Sequence, residues 1–234
     1  MALTRRYRPA DLASTFAGLA PFEGLEAPCL EDLASMALCH EYPRNNILSY
    51  RGDPAGPIHL VVSGRVKLIL TNDEGREVIV AMLGPGGLFG LTSALDGGEQ
   101  MSSAVTMERC TVARFKGAAF LRWCDGDRDR RIFLLTELAR RSREANTRIG
   151  AHALMSAKDR LLDTLLEIAE LEGEECPESD SVAFTRPTHQ ELAQRIGSSR
   201  EVVTRLLAEL RDADFFEDDN RVIRVPLSAL VLRD

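Results

Sequence analysis

Four polar residues lie close together at the start of one predicted helix near the carboxyl end of the chain: Arg200, Glu201, Thr204 and Arg205. An arginine guanidinium donates two parallel hydrogen bonds to a guanine edge, and a glutamate accepts one from the amino group of cytosine. Apolar residues between them recur at helical spacing and define another face. Their types and spacing therefore predict a helix that reads base edges in a DNA major groove.

Two capping patterns and a glycine position this helix. Thr188 and Ser198 are each followed three residues later by a glutamate, as in a capping box. Gly197 lies between them, so we expect a short helix at about 189–196, a glycine turn and a second helix. The segment 215–225 has strand–turn–strand character, which is typical of a wing. The carboxyl-terminal part is therefore predicted to be a winged helix-turn-helix.

Short apolar segments bounded by turn residues dominate the middle of the chain. They cover residues 47–50, 59–62, 65–70, 77–83, 101–106 and 110–115. Many short strands at near-regular spacing predict a sandwich or barrel. Before them, Leu30, Leu33, Met36 and Leu38 recur near helical spacing and predict a helical lead-in.

A long helix is predicted from about residue 127 to 155, where the sequence has no proline. Its stripe, at mostly three- and four-residue steps, contains Ile132, Leu135, Leu138, Ala139, Ser142, Ala145, Asn146, Ile149 and Leu154. We expect this helix to pair with its copy as a two-stranded coiled coil, with Asn146 setting the register. The alternative is a single helix packed across its own domain. A further helix is expected at about 157–171, and the acidic stretch 172–181 is predicted to be a loop.

Composition limits the class of protein. The net charge of -7 does not favour nucleic-acid binding unless positive charge is local, because affinity comes largely from Lys and Arg meeting phosphates. No apolar run approaches the roughly 20 residues of a membrane-spanning helix, and the start lacks a secretion signal, so we expect a cytoplasmic protein without a membrane partner. The five cysteines are widely spaced, which argues against a disulfide framework or zinc knuckle.

From about Leu19 onward the chain resembles the bacterial regulator family of the cyclic-AMP receptor protein and the fumarate-nitrate reduction regulator (CRP/FNR). The matching stretches are 52–54, 60–67, 75–80, 83–86, 89–90, 95–98 and 192–205, of which the last is the most specific. The resemblance implies an α+β fold. It has a cyclic-nucleotide-binding-like β-barrel (jelly roll) at 1–126, a dimerisation helix at 127–155 and a winged helix-turn-helix at 156–234.

The resemblance also implies DNA contacts. Arg200, Glu201 and Arg205 occupy the family's base-reading positions for a TGTGA-type half-site, and a homodimer would bind two half-sites as an inverted repeat. Thr204 would add a thymine-methyl or phosphate contact. The candidates for contacts with the DNA backbone are Thr188, His189, Gln190 and Ser199. RNA polymerase is a further candidate partner.

The expected effector pocket contains Gly90, Leu91, Thr92, Met101, Ser102 and Ser103. Relatives that bind cyclic nucleotides use a glutamate for the ribose hydroxyls and an arginine for the cyclic phosphate. Leu91 and Met101 occupy those places, and neither replaces a charged partner for a buried phosphate. Cyclic AMP is therefore not the expected effector, and a small molecule or gas takes its place.

The sensing chemistry stays open. Haem is one candidate, because some relatives ligate it, and His40, His59, Met101 and Cys110 have suitable ligand types. An iron–sulfur cluster needs four cysteine thiolates with several near the amino terminus, where only Cys29 and Cys39 lie, so none is expected. Thiol oxidation of Cys29, Cys39 or Cys124 is a second candidate, and binding of an unidentified organic ligand is a third.

Two other function classes match parts of the sequence. A cupin-like metal enzyme needs a His-x-His pair, but the four histidines are solitary, so we expect no enzyme activity. A protein-binding winged helix would suit the low net charge. The main prediction is a sequence-specific, effector-responsive DNA-binding transcription regulator. Effector binding would change how the long helices pack, and a hinge near Ser156 would reorient the recognition helices.

Overall fold

A computed structural model describes residues 3–5, 7–219 and 221–231. The chain divides into two compact units. The amino-terminal unit contains Met1–Glu74 and Ile79–Glu144, and the carboxyl-terminal unit contains Gly75–Val78 and Ala145–Asp234.

The secondary structure is mixed. The helices are α1 Pro9–Ala17, α2 Ala27–Ser35, α3 Leu91–Asp96, α4 Gly117–Cys124, α5 Arg128–Leu154, α6 Ala157–Glu172, α7 His189–Ile196, α8 Arg200–Asp212 and α9 Leu227–Val231. The strands are β1 Leu3–Arg5, β2 Leu38–Tyr42, β3 Ile47–Ser49, β4 Ile58–Ser63, β5 Val66–Thr71, β6 Glu77–Leu83, β7 Leu88–Phe89, β8 Ser103–Thr106, β9 Cys110–Phe115, β10 Glu174–Cys176, β11 Ser181–Thr185, β12 Glu217–Asp219 and β13 Val222–Pro226. Within the described ranges, no helix is long and apolar enough to cross a membrane.

Two sheets form the framework of residues 3–115. One has five strands in the order β1-β2-β9-β4-β7, and the other has four in the order β3-β8-β5-β6. In the first sheet, Arg114 of β9 lies opposite Leu38 on one side and His59 on the other. Apolar side chains of both sheets share one core, which includes Val61 and Val112 of the first sheet and Val66 of the second. This arrangement confirms the sandwich that the short apolar segments predicted, and it is consistent with the jelly roll that the family resemblance implied.

The expectation of a β-barrel needs correction. A barrel closes only when its edge strands pair with each other. In the described part of the chain the two sheets are separate, with β1 and β7 at the edges of one and β3 and β6 at the edges of the other. The jelly roll is therefore an open pair of sheets.

The helical lead-in ends earlier than predicted. Helix α2 stops at Ser35, and Leu38 begins strand β2. In β2, Cys39 and Tyr42 are buried, whereas Leu38 is 60% exposed. A short apolar run fits either a helical or a strand period, so spacing alone misassigned Leu38. The strand predicted at 101–106 also begins later, at Ser103.

A second core lies between the five-stranded sheet and the helices. Its aromatic members form a closed ring of contacts, in the order Phe22, Phe16, Phe115, Phe120, Trp123, Phe133 and back to Phe22. Burying one such ring contributes roughly 1.5–3 kcal/mol relative to leaving it exposed. Because Phe133 belongs to α5 and stacks on Phe22 at 5.1 Å, this core also fixes the first half of the long helix.

Helix α5 agrees with the predicted long helix to within one residue at each end. Much of its apolar stripe remains uncovered in the single chain. Leu135 is 64% exposed and Ile149 is 66% exposed. Single exposed apolar residues are common, but a row of them along 27 helical residues marks a surface that another helix can cover.

A buried carboxylate links α5 to the sheet. The Glu137 side chain is 3% exposed and accepts hydrogen bonds from Arg140 and Arg141, both at 2.8 Å. Arg141 also donates to the Leu88 carbonyl of β7 at 2.6 Å. Burial acts to raise the pKa of Glu137, but hydrogen bonds from the two arginines outweigh it, and the pKa lies below its usual value. Glu137 is therefore ionised in the folded protein at neutral pH.

Glu137→Gln should destabilise the folded protein by about 2 kcal/mol at neutral pH, because glutamine has no charge to pair with the two arginines. The folded-state pKa is depressed, so the stabilisation is fully present above the ordinary value of 4.5 and is lost as pH falls through the folded-state pKa. Chemical unfolding at about pH 7 and about pH 3.5 should show the difference between variant and wild type shrinking in acid. Glu144→Gln, which alters the exposed partner of Arg140, is the control and should change stability little. A difference independent of pH would contradict this account.

The carboxyl-terminal unit packs helices on a small sheet. Helix α6 begins with a capping box, since Ser156 Oγ accepts from Asp159 N at 3.1 Å and the Asp159 carboxylate accepts from Ser156 N at 3.3 Å. The sheet order is β10-β11-β13-β12. Strands β12 and β13 confirm the predicted strand–turn–strand, of which Asn220 lies outside the described residues.

The stretch 172–181 is not simply a loop. Strand β10 pairs with β11, and a 3-10 turn covers Pro177–Ser179 between them. Glu174 and Glu175 in β10 are exposed, so this strand carries no apolar alternation by which sequence could reveal it.

Candidate nucleic-acid interface and sensor pocket

Helices α7 and α8 confirm the predicted helix-turn-helix. Thr188 caps α7, since its Oγ1 accepts a hydrogen bond from Glu191 N at 3.1 Å. Helix α7 ends at Gly197, whose φ of 63° lies in the left-handed region. Glycine adopts this conformation without the steric cost that a Cβ brings.

The cap of α8 is one residue later than predicted. Ser199 Oγ accepts a hydrogen bond from Val202 N at 3.3 Å. Its backbone is extended, with φ of -97° and ψ of 158°, as an N-cap requires. The capping pattern pointed to Ser198, because Glu201 lies three residues after it, whereas Val202 lies three residues after Ser199.

The turn at Gly197 packs tightly against the end of α5. A Cβ on Gly197 would lie 2.7 Å from Cε1 of His152. Arg160 links the ends of α5 and α7, since its Nε donates to Ile196 O at 2.9 Å and its Nη1 donates to Met155 O at 2.7 Å. Glycine is therefore required at position 197 both by its backbone conformation and by its neighbour.

Gly197→Ala should destabilise the carboxyl-terminal unit by about 1–2 kcal/mol from the left-handed conformation, with a further loss from the collision with His152. Thermal unfolding measures the total. In a His152→Ala background the collision disappears, so the same substitution should be less harmful there. Gly150→Ala is the control, because nothing lies near its Cβ position within α5, and it should stabilise by up to about 1 kcal/mol. Equal losses in both backgrounds would contradict the contact with His152.

Helix α8 separates its buried and exposed residues. Its apolar face consists of Val203, Leu206, Leu207 and Leu210, all buried in the core of the unit. Its predicted base-reading residues are all exposed: Arg200, Glu201, Thr204 and Arg205. The buried face holds the helix in place, while the polar side chains lie on the exposed face.

Two of these side chains have the charge that base reading needs. A hydrogen bond from its own backbone amide, followed by one from Ser199, holds the pKa of Glu201 below its usual value, so the carboxylate is an acceptor at neutral pH. Arg205 lies 3.8 Å from the Glu209 carboxylate, but its side chain is 69% exposed. Such an exposed pair contributes little and leaves the guanidinium available.

The four residues predicted to contact the DNA backbone have different environments. The side-chain oxygens of Thr188 and Ser199 already accept cap hydrogen bonds. Gln190 is exposed in the first turn of α7. His189 Nδ1 lies 2.7 Å from Thr204 Oγ1, which links the two helices. The amino ends of α7 and α8 carry partial positive charge that suits phosphate oxygens.

The wing does not add positive charge on its β12 side. This strand consists of three exposed acidic residues, Glu217, Asp218 and Asp219. Asp218 pairs with Arg186 at 3.0 Å. An acidic strand repels phosphate, so β12 is poorly suited to a backbone contact.

In the amino-terminal unit, the predicted effector residues only partly converge. Gly90, Thr92, Met101 and Ser102 line a small cavity of about 110 Å³. Ser103 does not line it, and its Oγ accepts from Arg51 N at 3.0 Å. The cavity lies well below the roughly 300–1,000 Å³ of typical ligand pockets.

Leu91 belongs to the apolar core and not to the pocket wall. Its side chain is 0% exposed and packs with the aromatic cluster of the unit. Gly90 turns the chain just before it with a φ of 79°, and a Cβ there would lie 2.7 Å from Pro57 O. The position to which the resemblance assigns ribose binding is thus occupied by a core residue.

Sequence reasoning missed six residues of this cavity: Ser49, Leu68, Phe89, Ser93, Gln100 and Arg141. Arg141 reaches it from α5, and Ser93 and Gln100 line it as well, joined by a hydrogen bond of 2.8 Å from Gln100 Nε2 to Ser93 Oγ. Arg141 is far away in sequence, so no local pattern could identify it.

A larger groove of about 650 Å³ lies elsewhere in this unit. It runs between the segment 20–25, the loop 82–87 and the first half of α5. Ile132, on the α5 wall, is 42% exposed and belongs to the uncovered stripe of that helix. The groove is therefore continuous with the uncovered apolar stripe of α5.

The candidate haem ligands do not form one site. Met101 lines the small cavity and is 69% exposed, whereas His40 and His59 do not line it. Burial, helped by the charge of Arg114, lowers the pKa of His59 to about 3, and its ring stacks on Phe89 at 4.4 Å. Cys110 is buried and its Sγ lies 3.2 Å from Arg65 O. Across the described residues, no group of three or more His, Cys, Asp or Glu is arranged to hold a metal ion.

Two of the three candidate redox thiols are poorly suited to oxidation. Burial raises the pKa of Cys39 to about 11 and that of Cys124 to about 12. Both thiols stay protonated at neutral pH, and the thiolate is the reactive form. Cys29 is only partly buried, and its Sγ lies 3.4 Å from the Arg130 guanidinium.

Comparison with known families matches both units. Residues 39–127 match the family described as cyclic nucleotide-binding domain, and residues 159–230 match the Crp-like helix-turn-helix domain. The cAMP-activated global transcriptional regulator CRP of Haemophilus influenzae is 28% identical over 200 residues, covering 85% of this chain and 88% of that protein. The CRP-like cAMP-activated global transcriptional regulator of Mycobacterium tuberculosis is 29% identical over 189 residues, covering 80% and 84%.

Solved structures show the same fold. The c-di-GMP responsive global regulator CLP of Xanthomonas campestris superposes with a TM-score of 0.75 at 22% identity, covering 86% of this chain and 99% of that one. A transcriptional regulator of the CRP/FNR family from Thermus thermophilus gives a TM-score of 0.68 at 25% identity, covering 83% and 96%.

Proposed function

This chain belongs to the CRP/FNR family of DNA-binding transcription regulators, and we propose that it binds an inverted-repeat DNA site as a homodimer under the control of a small effector. The observation that carries the proposal is the exposed polar face of α8. Arg200, Glu201 and Arg205 extend from a helix whose opposite face is buried in its domain. Such a helix can enter a major groove without unfolding any of the core.

The arginine and glutamate types specify which bases suit the helix. Arginine pairs with guanine, and the Glu201 carboxylate accepts from a cytosine amino group on either strand. The resemblance of 200–205 to the family's base-reading segment supports a TGTGA-like half-site. Two copies of α8 in a symmetric dimer would read two half-sites about 34 Å apart, one helical turn of DNA. Phosphate contacts would come from His189, Gln190 and the amino ends of α7 and α8.

Arg200→Ala and Arg205→Ala should each weaken binding to the preferred duplex by roughly ten- to hundred-fold, because each removes a bidentate base contact worth about 1–3 kcal/mol. The preferred duplex is first selected from random inverted repeats, and fluorescence anisotropy then measures the dissociation constants. Binding to unrelated duplex DNA should change much less.

Arg211→Ala is the matched control, since this arginine is exposed at the far end of α8 and pairs with Asp212 at 3.4 Å. It should leave sequence preference unchanged. A chain with no preferred sequence, or with salt-independent binding, would contradict the proposed function and favour a protein-binding winged helix.

The uncovered stripe of α5 supports the dimer. Leu135 and Ile149 are exposed on the predicted pairing face. Asn146, exposed on the same face, would set the register of the pair. A two-stranded coiled coil would cover these residues.

Leu135→Glu and Ile149→Glu together should convert the dimer into a monomer, because four charges would face each other across the helix pair. Sedimentation equilibrium measures the molecular mass, which is 25.8 kDa for one chain. Thr147→Glu, an exposed substitution on the opposite side of α5, should leave the dimer intact. A wild-type monomer at high concentration, or a dimer that survives both glutamates, would contradict this interface.

The effector is proposed to be a small molecule or gas other than cyclic AMP. Leu91 is buried in the core, Met101 is exposed, and the cavity beside them holds about 110 Å³. Neither residue supplies a charge for a cyclic phosphate. Effector binding would shift the packing of α5 and the orientation of α8, so effector and DNA would change each other's affinity reciprocally. The regulator would act in the cytoplasm, with RNA polymerase as its partner, and without enzyme activity of its own.

A further inference from the structure

A hydrogen bond joins the two helices of the helix-turn-helix on their exposed side. His189 Nδ1, in the first turn of α7, lies 2.7 Å from Thr204 Oγ1 in α8. Thr204 Oγ1 also donates to the Arg200 carbonyl one turn earlier in α8, at 2.9 Å. The Thr204 hydroxyl therefore has two partners, one on each helix.

The count of hydrogen atoms fixes the direction of both bonds. A threonine hydroxyl has one hydrogen, and the carbonyl of Arg200 can only accept. The hydroxyl hydrogen is therefore directed to Arg200 O, and Thr204 Oγ1 must accept from His189. The neutral imidazole consequently carries its hydrogen on Nδ1.

These two bonds determine what Thr204 offers to a ligand. With Oγ1 held from both helices, rotation about the Cα–Cβ bond is restricted to one rotamer. The hydroxyl has no hydrogen left for a base or a phosphate. Thr204 is nevertheless exposed, between Glu201 and Arg205 on the same helix face. The group available to a base edge is its γ-methyl.

We propose that His189 is a positioning residue that holds Thr204 so that its γ-methyl packs on a thymine methyl in the major groove. The proposal rests on the proposed function, because it concerns the same DNA-reading face. Threonine methyl groups make apolar contacts with the C5 methyl of thymine, which uracil lacks. The pair His189–Thr204 thus sets a preference for thymine at one position of each half-site.

The charges around His189 do not disturb this arrangement. Burial and the nearby guanidinium groups of Arg186 and Arg200 lower its pKa, and Asp218 opposes them. Protonation adds a hydrogen to Nε2 and leaves the Nδ1 donor unchanged. The bond to Thr204 consequently persists in both charge states, and thymine preference should not depend on pH.

The test replaces thymine with deoxyuridine, one position at a time and symmetrically, in the preferred duplex of the full-length protein. At one position, replacing thymine with uracil should lower the affinity of the wild type by about four-fold per half-site. This is the effect of removing one buried methyl group, which contributes about 0.8 kcal/mol. Thr204→Ser keeps the hydroxyl and removes the methyl, so it should bind the two duplexes equally. His189→Ala should also lose most of the discrimination.

Two further variants separate positioning from a general structural role. His189→Asn places an amide donor near the position of Nδ1 and should restore discrimination, whereas His189→Gln places it one atom farther out and should not. The ratio of affinities for thymine and uracil duplexes should be equal at about pH 5.5 and about pH 8, on either side of the ordinary histidine pKa.

The outcomes distinguish this proposal from the proposed function. Sequence-specific binding with no effect of uracil at any position, or discrimination that survives in Thr204→Ser, would overturn the methyl contact and leave the regulator intact. Discrimination that survives in His189→Ala, or that changes with pH, would overturn the role of His189. Absence of any preferred duplex would instead reject the proposed function.

Discussion

The left-handed turn at Gly197 is the constraint on which the DNA-reading part of the structure depends. It stops α7 at Ile196 and lets α8 begin at Arg200, so that both helices contribute to one core. Two residues contact this turn. His152 occupies the space that a Cβ at position 197 would need, and Arg160 donates a hydrogen bond to the carbonyl of Ile196. Because the turn is fixed from within, the position of α8 as a whole does not depend on contacts of its polar face. Its residues can therefore be selected for reading bases.

In the predicted effector pocket, by contrast, one residue expected to contact the ligand is used for core packing. In a pocket for a cyclic nucleotide, the residue after the glycine turn would point a charge at the ligand. Here Leu91 follows the left-handed Gly90 and packs into the aromatic core. A buried leucine of this kind contributes roughly 1.5–3 kcal/mol to folding, so Leu91 stabilises the core of this unit.

The sequence predicted most of the fold because its strongest signals are local. Caps, glycine turns and helical periodicity identified α5, α7 and α8 almost to the residue. It failed for Leu38, where a short apolar run fits two local interpretations, and for the α8 cap, where the pattern favoured Ser198 over the neighbouring Ser199. It also failed where the partner is distant in sequence. The ion pairs of Glu137, the reach of Arg141 into the cavity and the bond between His189 and Thr204 all depend on packing that no spacing reveals.

Communication between effector and DNA needs an element that each site can bias. Helix α5 has the required contacts within each unit separately: Arg141 lines the small cavity in the amino-terminal unit, and His152 lies against Gly197 in the carboxyl-terminal unit. The ion pairs of Glu137 resist any change in the first half of the helix, whereas its apolar stripe is largely uncovered within the described chain. Pairing with a second copy would therefore set the position of α5. A ligand that alters this pairing would act on both recognition helices at once, without having to deform either core.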